Sequence, residues 1–128
     1  MKCLVTGGAG FIGSNLVDEL INQGHDVVVA DNLSTGKKEN INEKANFVKY
    51  DITWDNGIHN IFKGVDVVFH TAALARVQPS IEDPIAYDEV NVGGTLKILK
   101  ACVDFGVKRF IFSSSSSVYG DVEEKDLP

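Results

Sequence analysis

Three glycines, Gly7, Gly10 and Gly13, stand three residues apart directly after a short apolar run, Lys2 to Thr6. An apolar run of that length ending in glycines reads as a buried strand. Phe11, Ile12, Leu16, Val17, Leu20 and Ile21 then recur at helical spacing to Asn22, and Gly24 stands where a helix ends. Glycines between a strand and a helix let the chain turn sharply, bring backbone close to a pyrophosphate, and let helix and strand pack tightly. The helix opening there aims its free N–H groups and the positive end of its dipole at the same place. The competing reading is a plain tight turn. The strand before and the helix after favour a phosphate cradle.

The rest of the chain repeats the alternation. Asp26 to Ala30 (DVVVA) is β-branched and predicts a second buried strand. Asn32 to Asn46 is polar and predicts a loop with a short helix near Lys38 to Asn42. Asn46 to Tyr50 predicts a third strand, Thr53 to Phe62 a short helix, and Val65 to Phe69 a fourth strand. Ala72 to Ser80 reads as a loop. Asp83 then caps a long helix with Pro84 at its first position, ending near Phe105 and Gly106. Lys108 to Ser113 is the fifth strand, followed by a serine-rich turn and an acidic tail. Strands alternating with helices predict an α/β fold: a doubly wound parallel sheet of Rossmann type with right-handed crossovers. About five strands would take the order 3-2-1-4-5. Residues 1–128 read as one domain, since no repeat or linker divides them.

Composition narrows the partners. The net charge is -6, which argues against nucleic acid or an anionic membrane as the main partner. No apolar stretch approaches the roughly 20 residues of a membrane span, and the short apolar start runs straight into glycines, unlike a signal peptide. The expected location is cytoplasmic. Cys3 and Cys102 lie in apolar segments and read as buried thiols rather than metal ligands, and no metal is expected. Asp31 ends the second strand about 20 residues after the glycines, where a carboxylate can accept hydrogen bonds from both ribose hydroxyls of NAD and would repel the 2′-phosphate of NADP. Lys37 and Lys38 lie near enough to weaken that preference slightly.

In order, TGGAGFIG, ADNLSTG, YDI, HTAA, NVGGT and SSSSSVYG span the chain. This set resembles the extended short-chain dehydrogenase/reductase family, and looks most like its UDP-glucose or UDP-N-acetylglucosamine 4-epimerases. The resemblance implies that Gly7, Gly10, Phe11, Ile12 and Gly13 line the pyrophosphate of NAD. It implies that Asp31 and Asn32, with Ser34 and Gly36, hold the adenosine ribose, and that Asp51 and Ile52 meet the adenine. Asp51 also reads as a cap ahead of Trp54, and the two roles are compatible. Ala72 and Ala73 would leave room for ribose and phosphates. Asn91 would order the cofactor side of the site, against the plain alternative of an exposed helix residue. His70 reads as a satisfied core histidine. Ser113 and Ser114 would lie beside the nicotinamide, and Ser115 takes the catalytic serine/threonine position, where a hydroxyl can hydrogen-bond the sugar 4-OH. Arg76 falls in an active-site loop, and Ala75 stands where many glucose-type epimerases have lysine.

The resemblance further implies hydride exchange between C4 of a UDP-sugar and the nicotinamide, with a tyrosine phenolate as base. That base needs a lysine four residues later. Tyr50, Tyr87 and Tyr119 are followed there by Trp54, Asn91 and Glu123, so the chain is expected to stop before the catalytic pair and the substrate domain and to be inactive alone. Ser116 and Ser117 stand where nucleotide-sugar dehydratases usually carry acidic residues, which leaves a dehydratase or decarboxylase as the weaker alternative. A non-catalytic NAD-binding module is the other. An open fifth strand and the family's dimer helix, matched by Pro84 to Phe105, imply a homodimer or other self-association.

Overall fold

The computed structural model describes residues 1–120; the acidic tail lies outside the described residues. Five strands form one parallel sheet: β1 (Lys2–Thr6), β2 (Asp26–Asp31), β3 (Asn46–Lys49), β4 (Val67–His70) and β5 (Arg109–Phe112). Their order is β3-β2-β1-β4-β5, as the alternating pattern and crossover handedness predict. The register runs Leu4 beside Val28 on one side and Val68 on the other, and Val68 beside Phe110.

Because side chains alternate across a strand, that register sorts the apolar residues into two layers. Leu4, Val28, Ala30 and Val68 face one way and pack on α2 (Ile58–Phe62) and α5 (Thr95–Asp104) through Ile61, Phe62, Ile98 and Ala101. Cys3, Val5, Val27 and Val29 face the other way and pack on α1 (Phe11–Asn22) through Val17 and Leu20. Both layers are essentially closed to solvent. Both cysteines are buried thiols, and burial raises the Cys3 thiol above its ordinary value and pushes Cys102 up to about 11, so neither is a ready thiolate.

Four local expectations change. The helix expected over Thr53 to Phe62 occupies only its second half, because Gly57 sits at φ +85 and the residues before it form turns. Asp51 accordingly caps a turn rather than a helix, accepting from the Thr53 N–H and hydroxyl. The loop expected over Ala72 to Ser80 contains the start of a short helix, α3 (Val77–Glu82). Asp83 does cap α4 (Pro84–Asp88), accepting from the Ala86 N–H at 3.1 Å. The helical path from Pro84 to Asp104 is nevertheless interrupted by a π turn at Glu89–Gly94, where Gly94 lies so close to Ile52 that an added Cβ would fall 2.7 Å from its side chain.

The tightest joint lies where β1 meets α1. A Cβ at Gly13 would fall 2.2 Å from the Gly7 carbonyl oxygen and 2.8 Å from the Gly8 Cα, both backbone atoms that cannot swing away. Gly93, in the same fold, has open space around it. Gly13→Ala is therefore expected to destabilise by about 3 kcal/mol through overpacking. Gly93→Ala should stabilise by roughly 0.5 kcal/mol or more through helix propensity. Urea denaturation of the two variants checks both signs; equal effects would contradict the joint.

Candidate functional site

The site is assembled at the carboxyl ends of β1, β2 and β4, where a doubly wound sheet opens a crevice. The chain leaves β1 through Gly7, at φ +72, whose N–H donates to the Ala30 carbonyl at 2.8 Å and whose carbonyl accepts from Gly10 at 3.1 Å. A Cβ at Gly7 would meet the Ala72 backbone nitrogen at 2.7 Å, so the turn is pressed against the segment that follows β4. Gly10 begins α1 with no side chain to cap it, leaving the first N–H groups of the helix free to meet an anion. Phe11 and Ile12 are 85% and 65% exposed: the first turn of α1 rises past the end of the sheet, so these two belong to the crevice rather than to the core.

Asp31 ties the next strand end to the glycine turn. Its Oδ2 accepts the Ala9 N–H at 3.0 Å and its Oδ1 accepts the Leu33 N–H at 2.8 Å. Leu33 adopts φ +62, a left-handed backbone that a leucine rarely takes and that this carboxylate helps hold. Asn32 donates to Asp51 Oδ2 at 2.8 Å and accepts from the Ser34 N–H at 2.9 Å. Burial pushes the Asp51 carboxyl up, but the bonds from Asn32 and Thr53 and the charge of Lys97 outweigh it, so it lies below its ordinary value. Lys97 also forms an ion pair with Asp55 at 2.7 Å and so pins the turn behind Ile52.

These residues line a crevice of about 300 Å³. Of the residues singled out from the sequence, Gly7, Gly10, Phe11, Ile12, Gly13, Asp31, Asn32, Ser34, Asp51, Ile52, Ala72 and Ala73 meet there. Gly36 does not. It packs behind the glycine turn, where a Cβ would lie 2.9 Å from the Ala9 backbone, and acts as a brace. Asn91, Ser113, Ser114 and Ser115 lie instead around an adjoining hollow of about 550 Å³, which shares the Thr71 to Leu74 wall with the crevice and also takes in Arg76 and Tyr87. The side chain of Asn91 is engaged at both its oxygen and its nitrogen, accepting from the Leu74 N–H at 2.8 Å and donating to the Leu74 carbonyl at 2.9 Å. It holds the wall rather than facing the crevice. The Ser115 Oγ accepts the Ser117 N–H at 3.1 Å and keeps its own proton free to donate into the hollow.

Sequence reasoning missed Ala30, Thr35, Tyr50, Thr71, Leu74 and Val90, which also line the crevice. It also missed that His70 joins two threonines. Its Nδ1 lies 2.8 Å from Thr6 Oγ1 and its Nε2 2.9 Å from Thr95 Oγ1. Thr6 and Thr95 stand in quoted motifs, but nothing local marks residues 64 and 25 positions away as partners of one ring. Among the described residues no group of three or more His, Cys, Asp or Glu side chains gathers as a metal site, and no helix is long and apolar enough to cross a membrane.

The chain has relatives of known sequence and structure. The sequence model of the NAD dependent epimerase/dehydratase family matches residues 3–128. A UDP-glucose 4-epimerase of Lacticaseibacillus casei is 39% identical over 130 aligned positions, which take in 100% of this chain and 39% of that protein. The crystal structure of the Thermus thermophilus UDP-glucose 4-epimerase in complex with NAD superposes with a TM-score of 0.92 at 43% identity, covering 98% of this chain and 42% of that one. The Thermotoga maritima UDP-glucose 4-epimerase, solved with UDP-glucose, gives 0.91 at 45% identity, covering 96% and 41%. The chain thus spans about two fifths of the length of these relatives.

Burial lowers the His70 imidazole to about 4, so it stays neutral in the folded chain. In the unfolded chain the same ring titrates near its ordinary 6.5. Between those two values the unfolded state takes up a proton that the folded state refuses. Folding stability should therefore fall as pH drops from 6.5 to 4, by about 3 kcal/mol for this ring. Urea denaturation across that window, compared with His70→Asn, isolates the ring's share; identical slopes in the two proteins would contradict a buried neutral His70.

Proposed function

The chain belongs to the NAD dependent epimerase/dehydratase family, and on that premise we propose that it forms the NAD-holding part of a nucleotide-sugar 4-epimerase. One observation carries the reading. The glycine turn, the uncapped start of α1 and the buried carboxylate of Asp31 converge on a single crevice. A dinucleotide presents a pyrophosphate and a ribose diol, and the chemistry of the residues lining the crevice fits both. Gly7 and Gly13 let the turn close against neighbouring backbone, and the free N–H groups of Phe11, Ile12 and Gly13 donate to the phosphate. Asp31, already fixed by Ala9 and Leu33, accepts from the adenosine ribose and repels a 2′-phosphate. Asn32 and Ser34 flank that ribose, Asp51 and Ile52 border the adenine, and Gly36 supports the turn from behind. Ala72 and Ala73 keep the opposite wall low, and Asn91 orders that wall.

NAD, when bound, supplies the carbon that takes and returns hydride. The adjoining hollow then suits the sugar nucleotide, with Ser113 and Ser114 on the nicotinamide side. Ser115 holds and passes a proton at the sugar 4-OH through its free hydroxyl. Residues 1–128 act as one nucleotide-binding domain in this reading, and UDP-sugar is the substrate of the whole protein. The 128 residues contain no tyrosine followed four positions later by lysine, so the chain alone is expected to bind cofactor without turnover. Self-association has its own support. Val92, Leu96, Leu99 and Val103 recur at helical spacing along the π turn and α5, and all four are exposed. An apolar stripe of that kind fits a second copy of the chain.

Calorimetric titration is expected to give NAD+ binding tighter than NADP+, and Asp31→Asn should weaken NAD+ by about tenfold while narrowing the preference. UDP-galactose should remain unconverted. Equal affinity for both dinucleotides, or an unchanged variant, would sink the role of Asp31. In sedimentation the chain should associate with rising concentration, and Leu96→Glu should reduce that association; a monodisperse monomer throughout would contradict the stripe.

A further inference from the structure

Thr6, His70 and Thr95 form a line of hydrogen bonds whose direction can be deduced. Thr95 Oγ1 lies 2.7 Å from the Asn91 carbonyl, which can only accept, so Thr95 spends its one hydroxyl proton there. Its 2.9 Å contact with His70 Nε2 therefore has the ring donating. A buried neutral imidazole carries one N–H, so Nδ1 accepts, and at 2.8 Å the Thr6 hydroxyl is its donor. Thr6 Oγ1 in turn accepts the Ala72 N–H at 3.4 Å. The line runs one way, from the Ala72 amide through Thr6, His70 and Thr95 to the Asn91 carbonyl. Phe110 and Phe112 lie beside the ring at centroid distances of 5.6 and 5.9 Å.

Both ends of this line matter to the crevice. Ala72 is the residue whose backbone would be struck by a Cβ at Gly7, so a small displacement of it changes the width of the phosphate turn. At the other end Asn91 grips Leu74 with its side chain while its carbonyl closes the line. The π turn thus holds the wall from Thr71 to Leu74 twice, directly at Leu74 and through His70 at Ala72. We propose that His70, locked as its Nε2–H tautomer between Thr6 and Thr95, is a positioning residue that fixes this wall and thereby sets cofactor affinity. The inference rests on reading the crevice as the dinucleotide site. His70 does not line the crevice itself; it acts through Thr6 and Ala72.

The test uses the 128-residue chain and three readouts. Nitrogen-15 spectra of the His70 ring should give a single neutral Nε2–H form. Thr95→Val, which removes the end of the line far from the phosphate turn, should speed hydrogen exchange at the Ala72 amide and weaken NAD+ by about tenfold. Thr95→Ser, which keeps the hydroxyl, should bind NAD+ within about twofold of the parent. A ring in the Nδ1–H form would overturn the proposal. So would a folded Thr95→Val with parental NAD+ affinity and parental Ala72 exchange. Should the parent itself bind no NAD+, the dinucleotide reading falls, and the tautomer and the Ala72 exchange still decide whether the line positions the wall.

Discussion

The backbone contact between Gly13 and Gly7 governs the rest of the structure. An added Cβ at Gly13 would lie 2.2 Å from the Gly7 carbonyl oxygen, so α1 can approach the end of β1 only because Gly13 lacks a side chain. That approach sends α1 back across the sheet, where Val17 and Leu20 cover Cys3, Val5, Val27 and Val29. It also leaves the first turn of α1 standing above the sheet with unsatisfied N–H groups. The steric condition that closes one hydrophobic layer is the one that opens the crevice. Folding and site cannot be separated at this joint.

The second constraint is the way polar groups at the crevice are already committed. Asp31 is bonded to Ala9 and Leu33, Asp51 to Asn32 and Thr53, and Asn91 to Leu74. No buried side-chain nitrogen or oxygen among the described residues lacks a partner. Such internal bonding orders the walls before any ligand arrives, so less ordering has to accompany binding. His70 extends the same arrangement into the core. Its burial and neutrality follow from apolar neighbours, and its tautomer follows from two hydroxyls whose own protons are accounted for.

Much of this is legible in the residues because the sheet is parallel and covered on both faces. DVVVA and the run from Lys2 to Thr6 have nowhere to sit but the interior, and crossover handedness then orders the strands. The crevice residues are legible where backbone demands a residue type, as at Gly7, or where a carboxylate ends a strand, as at Asp31. Other features depend on distant contacts. At the π turn Gly94 meets Ile52 from a distant part of the chain, and α2 starts only after the left-handed Gly57. The helix at Val77–Glu82 has Pro79 inside it, and Val77 and Ile81 alone are too few to announce it. Gly36 reads as a ribose contact because it sits in the same motif, but its space is taken by Ala9. The His70 line joins residues far apart in the chain, and no local pattern encodes it.

In the proposed function one crevice, bounded by the glycine turn, Asp31 and the wall after β4, takes a dinucleotide. Amide chemical-shift mapping during NAD+ addition tests it most directly. The largest changes are expected to fall together on Phe11 to Gly13, on Asp31 to Ser34, and on Ala72 and Ala73. Changes confined to another surface, or no changes at saturating NAD+, would contradict it.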